Sequence, residues 1–391
     1  MTRQAKSAIV GYGKSTFSRK PGPPVSDLVR TAVINAVEDA GIEMADVDGL
    51  ILGQSDILER SALTLAFRHM LDLGTLNLLC VTEGKGTTML QAVQHATMAI
   101  KSGVARKIVC VFGDTPIGAD TGAGETFARP SRIMNLPGWE ERYGCYGAMG
   151  AYALAASAYK ARYGLGDDAF APYVMTCRNW AGLNPDAFLR QPLSLDDYLT
   201  SRFVVEPIRL FDCAYPVNGA VAFVLSDIED ATSGLSAPVY LHGMGQGHGA
   251  RSALYALCDG GETGARSAAD RALAMAGVSH QDIDICQLYD AFSFSGLYGL
   301  EDFGFCAPGT APAFVAVGET SPGGRLPVNT GGGHLSGGYL QGATPLLEAV
   351  VQARGAGGAR QVDRHDLLFV SNSGGCLEYH ATLVVSPHEV L

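Results

Sequence analysis

The chain has 391 residues, 47% hydrophobic and 17% charged, which excludes a disordered or low-complexity polypeptide. A formal net charge of -11 argues against a general nucleic-acid binder, which needs a cationic face. Glycine stands out at 49 residues without a collagen period, so tight turns and close backbone approaches are expected in number.

At roughly 100–200 residues per domain, this length predicts two or three domains. The pattern opens with a strand over 8–10, a turn at 11–14, and a helix from residue 25. Leu28, Ala32, Val33, Ala36, Val37 and Ala40 recur along that helix at helical spacing, with Ser26 as a candidate cap and Gly41 as its stop. A strand over 47–52 follows. A second unit reads as strand 76–81, helix 87–102, stop at Gly103 and strand 107–113. This alternation predicts a largely parallel sheet covered on both faces. From 115 to 202 the alternation lapses into loops at 118–124 and helices at 148–163 and 167–181, which reads as an inserted domain. A strand over 220–225 closes the first half. The second half has strand 239–242, helix 265–276 ended by Gly277, strand 283–288, helix 342–354, and strands 367–371 and 381–385. The two halves share an order of elements, an architectural repeat without sequence repetition.

The nine cysteines (Cys80, Cys110, Cys145, Cys177, Cys213, Cys258, Cys286, Cys306 and Cys376) are odd in number, contain no CxxC pair and suit a reduced cytoplasm. No run is long enough for a signal segment or a membrane span. His69, His95 and His242 lack metal-ligand spacing, so no metal site is expected. Gly11-Tyr12-Gly13 lacks the third glycine of a dinucleotide fingerprint, and neither a phosphate loop nor a nucleophile elbow is present. Four glycine clusters fall at expected strand ends: 83–86, 331–334, 336–342 and 373–376. One alone reads as a tight turn. Together, near helix N-termini, they read as a shared site with backbone donors for an anion or a developing oxyanion.

These clusters resemble the thiolase superfamily, specifically its sterol-carrier-protein-type and lipid-transfer-protein-like members. The resemblance covers nearly the whole chain. Asp212-Cys213 with Asn218-Gly219-Ala220 is similar to the family's "DC…DGA" element, with Asn218 in place of Asp. Tyr289-Asp290-Ala291-Phe292 resembles "HDAF" or "NEAF", the stretch from Ser336 to Thr344 resembles "SKGHPLGAT", and Ser373-Gly374-Gly375-Cys376 lies at the closing glycine loop. The resemblance implies an α/β duplicated thiolase fold: two stacked αβα-type halves in five layers, with an inserted loop domain. It places residues 1–114 and 203–236 in the first half, 115–202 in the insertion and 237–391 in the second half.

The departures from the family are informative. Counting back from Gly103 puts Gly86 where the family's nucleophilic cysteine belongs, with Cys80 too early and within a strand. Tyr339 stands at the GHP histidine and Tyr289 at the Asn/His of the other motif. Covalent acyl transfer needs a thiolate and its base, so thiolysis is expected to be absent or very weak. Tyrosine at both motif positions resembles the thiolase-like aldolases of steroid side-chain degradation. That branch implies retro-aldol cleavage of a β-hydroxyacyl-CoA with Tyr289 and Tyr339 as acid/base groups, a homodimer, and a small OB-fold partner that carries a zinc ribbon. No cofactor is expected in this chain itself, because CoA belongs to the substrate. Gly86, Gly375 and Cys376 are the candidate backbone oxyanion donors, and Asp290, Asn218, His334 and His380 are supporting candidates. Two alternatives stay open: an acyltransferase of the acetyl-CoA acetyltransferase kind with a displaced cysteine, and a non-catalytic acyl-CoA or lipid carrier.

Overall fold

A computed structural model describes residues 5–55, 63–128, 147–231, 236–249, 257 and 263–391. Cys145 and Cys258 lie outside the described residues, and the other seven cysteines are free thiols. Nine strands form one hydrogen-bonded sheet. They are β1 (Ser7–Lys14), β2 (Gly49–Gly53), β3 (Leu78–Thr82), β4 (Lys107–Asp114), β7 (Gly219–Ser226), β8 (Val239–His248), β9 (Ile285–Leu288), β10 (Leu368–Gly374) and β11 (Tyr379–Ser386). A separate hairpin pairs β5 (Phe203–Val205) with β6 (Ile208–Arg209). The large sheet runs β3-β2-β4-β7-β1-β8-β11-β10-β9, so the first-half strands lie on one side of the β1/β8 pair and the second-half strands on the other.

Three apolar clusters define the layers. On one outer face the Val25–Ala40 helix packs Ala32, Val33 and Ala36 against Val10, Leu50, Val109 and Val224. In the middle, helices Thr88–Lys101 and Ala343–Ala353 share a core with Ile51, Cys110 and Phe223 of one half and Val370, Leu383 and Val385 of the other. On the far face, helices Ala265–Ala276 and Ser293–Asp302 cover Phe369 and Val384 and meet the inserted helices Gly147–Tyr163 and Ala171–Leu183. Alternation along a strand sends Phe369 outward and Val370 inward. The result is the five-layer α-β-α-β-α duplication.

The sheet is mixed, not largely parallel. β2 runs parallel to β3 and β4, and β10 to β9, while β7, β1, β8 and β11 pair antiparallel with their neighbours. The reason is topological: β7 enters between β4 and β1 after the long insertion, without a helical crossover. Gly11 and Gly13 are also not a turn. They lie within β1, and a Cβ on Gly11 would collide with the Ala36 carbonyl and sit 2.7 Å from the Ala40 Cβ. In the second half, Gly243, Gly245 and Gly247 do the same against the alanine-rich Ala265–Ala276 helix, which extends β8 well beyond the expected residue 242. Each half thus repeats one device: a glycine-spaced strand on which an alanine helix packs backbone to backbone. The first helix begins at Val25 with Pro24 at its cap position, so Ser26 does not cap it. The helix expected from 167 starts at Ala171 and carries Pro172 in its first turn, where the missing N–H has no intrahelical partner to lose. Among the described residues, no helix is long and apolar enough to cross a membrane.

Candidate active site

Strand ends and glycine turns bring three segments together. Tyr289 follows β9, and its backbone N–H donates to the Ser371 carbonyl at 3.0 Å. Gly86 sits in the single turn Lys85–Thr87 that leads into the Thr88–Lys101 helix. Tyr339 follows the one-turn π-helix Gly333–Gly337, and its N–H donates to the Tyr215 carbonyl at 2.8 Å. The two phenol oxygens lie 2.9 Å apart, a direct hydrogen bond. Tyr289 is buried, Tyr339 is half-buried, and burial foremost pushes the Tyr339 phenol well above its usual range.

The geometry around Gly86 leaves no room for a side chain at this position. A Cβ there would collide with the Ser373 carbonyl and lie 2.6 Å from Cε2 and 2.7 Å from Cζ of Tyr289. The Tyr289 ring therefore fills the space into which a side chain at residue 86 would project.

His334 stands behind the pair. Its ring centroid is 4.9 Å from that of Tyr289 and 5.0 Å from that of Tyr339, edge-to-face with both. Its Nδ1 accepts the Asp290 backbone N–H at 3.3 Å, while the Asp290 Oδ1 accepts the His334 backbone N–H at 2.8 Å. The Cys177 thiol donates to Asp290 Oδ2 at 3.6 Å. Gly333 is required here, since a Cβ at its φ of +60° would collide with Asp290 Oδ2. Burial drives the imidazole down to about 3 and the carboxyl up to about 7.

These shifts set opposing pH dependences. Stabilisation from His334 is complete above its unfolded value of 6.5 and is lost as pH falls towards about 3. Stabilisation from Asp290 is complete below its unfolded value of 3.8 and is lost as pH rises through about 7. Between pH 4 and 6.5, folding moves one proton from the histidine to the carboxyl, and the two slopes cancel. Asp290→Asn is therefore expected to make thermal stability rise with pH across this window, and His334→Gln to make it fall. Each slope is limited to about 1.4 kcal/mol per pH unit. Melting curves of both variants and the parent at pH 4, 5, 6 and 7 decide it. Parallel profiles for all three would contradict this proton placement.

The other expected site residues are placed as follows. Gly375 and Cys376 lie in the hairpin turn between β10 and β11. The Gly375 carbonyl accepts the Tyr152 hydroxyl at 3.1 Å, and Cys376 is buried within the outer core. His380 does not reach the tyrosine pair. Its Nε2 donates to the Leu377 carbonyl at 3.0 Å and its ring packs on Phe303 on the outer face. Asn218 ties loops together: its amide oxygen accepts the Ile117 N–H and its amide nitrogen donates to the Ile117 carbonyl, both at 2.9 Å. Sequence reasoning missed Tyr152 and Phe127. Tyr152 comes from an inserted helix and packs on Phe292 at 4.8 Å, and Phe127 meets Tyr339 edge-on at 5.8 Å. The available signal was a set of aromatic residues, Phe127, Tyr152, Tyr159 and Tyr163, in a region that otherwise lacked a readable pattern. A cavity of about 350 Å³ reaches His334 from the side of Lys14, Asn329 and Arg360, and neither tyrosine lines it. Among the described residues, no group of three or more His, Cys, Asp and Glu is placed to hold a metal.

The comparisons agree with this architecture. A "Thiolase C-terminal domain-like" family model matches residues 248–387. A steroid side-chain-cleaving aldolase of Thermomonospora curvata is 30% identical over 382 residues, covering 94% of this chain and 95% of that protein. A 17-hydroxy-3-oxo-4-pregnene-20-carboxyl-CoA lyase of Mycobacterium tuberculosis is 31% identical over 375 residues, covering 90% and 92%. The solved Ltp2-ChsH2(DUF35) aldolase superposes with a TM-score of 0.85 at 30% identity, covering 97% of each chain. Near-complete coverage by aldolases, together with the fold, places the chain in the thiolase superfamily as a sterol-carrier-protein-like aldolase, a carbon–carbon lyase.

Proposed function

We propose that the protein cleaves a β-hydroxyacyl-CoA of the steroid side-chain type into a ketone or aldehyde and a shortened acyl-CoA, without a covalent intermediate. The observation that carries this reading is the hydrogen-bonded Tyr289–Tyr339 pair beside Gly86, at positions where the resemblance implies the family's thiolate chemistry. A retro-aldol step moves one proton from the β-hydroxyl to Cα. One phenol oxygen takes the hydroxyl proton as the Cα–Cβ bond breaks and its electron pair enters the thioester enolate. The phenol–phenol hydrogen bond passes a proton across, and the second phenol delivers one to Cα. Both tyrosines end as they began, and no net charge is left on the protein. Burial holds the Tyr339 phenol well above its usual range, so it enters this shuttle neutral and needs no prior ionisation. The enolate oxygen needs donors, and one such hydrogen bond is typically worth about 2.7–4 kcal/mol to the transition state. The Gly86 and Gly375–Cys376 turns are the segments we assign to supply them.

The relatives' names support the substrate class, one being a carboxyl-CoA lyase and another a side-chain-cleaving aldolase. The Ltp2 structure also includes a DUF35 partner. We infer that this chain works in the cytoplasm as a homodimer with a small OB-fold protein of that kind, and that any zinc belongs to the partner. The test is product analysis on a panel of β-hydroxyacyl-CoAs, with and without the partner co-expressed from the neighbouring gene. A ketone or aldehyde should appear together with the shortened acyl-CoA. If no panel member is cleaved in the presence of the partner, the assignment fails.

A second measurement separates this reading from an acyltransferase with a displaced cysteine. Cys80 lies on strand β3, and burial raises its thiol pKa, so it is a poor nucleophile. Incubation with acetyl-CoA should leave the intact mass unchanged. A stable acyl adduct on Cys80 or Cys376 would favour the acyltransferase.

A further inference from the structure

Tyr152 projects from the inserted helix Gly147–Tyr163 into the outer core, where only 1% of it is exposed. It touches two segments of the site. Its hydroxyl donates to the Gly375 carbonyl at 3.1 Å, and its ring packs on Phe292, just beyond Tyr289 in the chain, at a centroid distance of 4.8 Å. Burial foremost pushes this phenol well above its usual range, so the oxygen keeps the proton with which it holds the carbonyl. The turn it holds is strained. Gly375 and Leu377 adopt left-handed φ values of +66° and +61°, and a leucine stays in that conformation only where its surroundings impose it. Here the carbonyls are what is held: that of Gly374 accepts the Glu378 N–H at 3.1 Å, that of Gly375 accepts the Tyr152 hydroxyl, and that of Leu377 accepts His380 Nε2–H at 3.0 Å. The first and last of these bonds are made within the hairpin, whereas Tyr152 reaches the turn across 223 positions of chain. The same turn abuts the Gly86 segment. A Cβ on Gly374 would lie 2.6 Å from the Gly84 carbonyl oxygen and 3.2 Å from the Gly86 nitrogen. The two backbone segments assigned to the enolate oxygen are therefore in direct contact, and one of them is anchored from the inserted helix.

We infer that Tyr152 is a positioning residue for the enolate: by holding the Gly375 carbonyl, its hydroxyl keeps the backbone N–H groups of the closing glycine turn set for the developing oxyanion. This rests on the assignment of that turn as an oxyanion donor and deepens it. A trans peptide points its N–H opposite to its carbonyl, so fixing the Gly375 carbonyl also fixes the direction of the Cys376 N–H. Glycine itself offers little resistance to a flip of that peptide, which would present a carbonyl where an N–H had stood. Donors fixed before the reaction need no reorganisation as charge develops, and that is the source of their effect.

The test uses the full-length protein with its partner, the cleaved panel substrate and two CoA thioethers that are not turned over. S-carboxymethyl-CoA presents a planar, charged carboxylate in imitation of the enolate, and S-ethyl-CoA carries no oxygen there. Tyr152→Phe keeps the ring on Phe292 and removes the hydroxyl. It is expected to lower kcat about 10- to 100-fold with KM within about threefold. In calorimetric titration it should weaken S-carboxymethyl-CoA by a similar factor and leave S-ethyl-CoA within about threefold. Tyr159→Phe is the matched control, since it removes a buried hydroxyl bond of the same helix, to Glu301, that does not involve the turn. It should lower the melting temperature comparably while kcat and both affinities stay within about threefold of the parent. If the two variants lose activity alike, the role of Tyr152 is structural and the inference is overturned. It is also overturned if Tyr152→Phe keeps kcat or S-carboxymethyl-CoA affinity within about threefold of the parent, or if both thioethers weaken together. Failure of the retro-aldol reading looks different: the parent protein then cleaves no panel member, while the two thioethers still report on the turn. If the parent holds S-carboxymethyl-CoA no more tightly than S-ethyl-CoA, the turn stabilises no anion and the inference falls.

Discussion

Tyr339→Phe and Tyr289→Phe are each expected to lower kcat for β-hydroxyacyl-CoA cleavage by about 10²–10⁴-fold, the usual range for losing a positioned proton-transfer group. Removing either hydroxyl breaks the 2.9 Å phenol–phenol hydrogen bond, so the shuttle is cut at whichever end is changed. The double variant should therefore be scarcely worse than either single one, as for residues that act as a unit. Folding should survive, because the rings keep their packing on His334 and on each other. Steady-state kinetics with the partner present, alongside melting temperatures, provide the check. Losses that multiply in the double variant would mean that the phenols act independently and not as a relay. A single variant at full activity would remove that tyrosine from the mechanism.

The readable part of this site was chemical, and the hidden part was spatial. Tyr289, Tyr339 and Gly86 stood out because each differs from the residue type that the resemblance implies at its position. Contact between Gly86 and the Tyr289 ring was hidden, since nothing local at residue 86 reports what packs over it. Periodicity found the outer helices but misread β1, because a Gly-Tyr-Gly run signals a turn unless a helix backbone lies against it. The same ambiguity cut β8 short at residue 242, although its glycines are spaced to admit the alanine helix. His380 was chosen for its nearness in sequence to the glycine loop. Strand alternation carries it instead to the outer face beside Phe303. His334 was named only as a candidate, and its significance depends on Asp290 reaching it across 44 positions of chain.

Gly86→Cys is expected to abolish cleavage and destabilise the fold without restoring thiolysis. The new Cβ has no room: it meets the Ser373 carbonyl, which is backbone, and the Tyr289 ring at 2.6 Å. Neighbours can yield only if β10 shifts, because Ser373 is held in its ladder opposite His380. Overpacking of this kind typically costs about 1–3 kcal/mol, and contact with backbone belongs at the upper end. The thiol would also lack a ready base, since burial keeps the Tyr339 phenol protonated. Adding Tyr289→Ala should recover part of the stability by vacating the ring's volume, but none of the aldolase activity, because the relay is gone. The strain from Ser373 remains in either background. Thermal melts of the single and double variants, with intact-mass analysis after acetyl-CoA treatment, test each part. If Gly86→Cys is as stable as the parent and still cleaves β-hydroxyacyl-CoA, the cavity around residue 86 is larger than this geometry allows. The claim that the tyrosine displaced the nucleophile would then fall. If stability returns in the double variant, the two substitutions are tied by volume. A route between acyl transfer and aldol cleavage would then have to change residues 86 and 289 together.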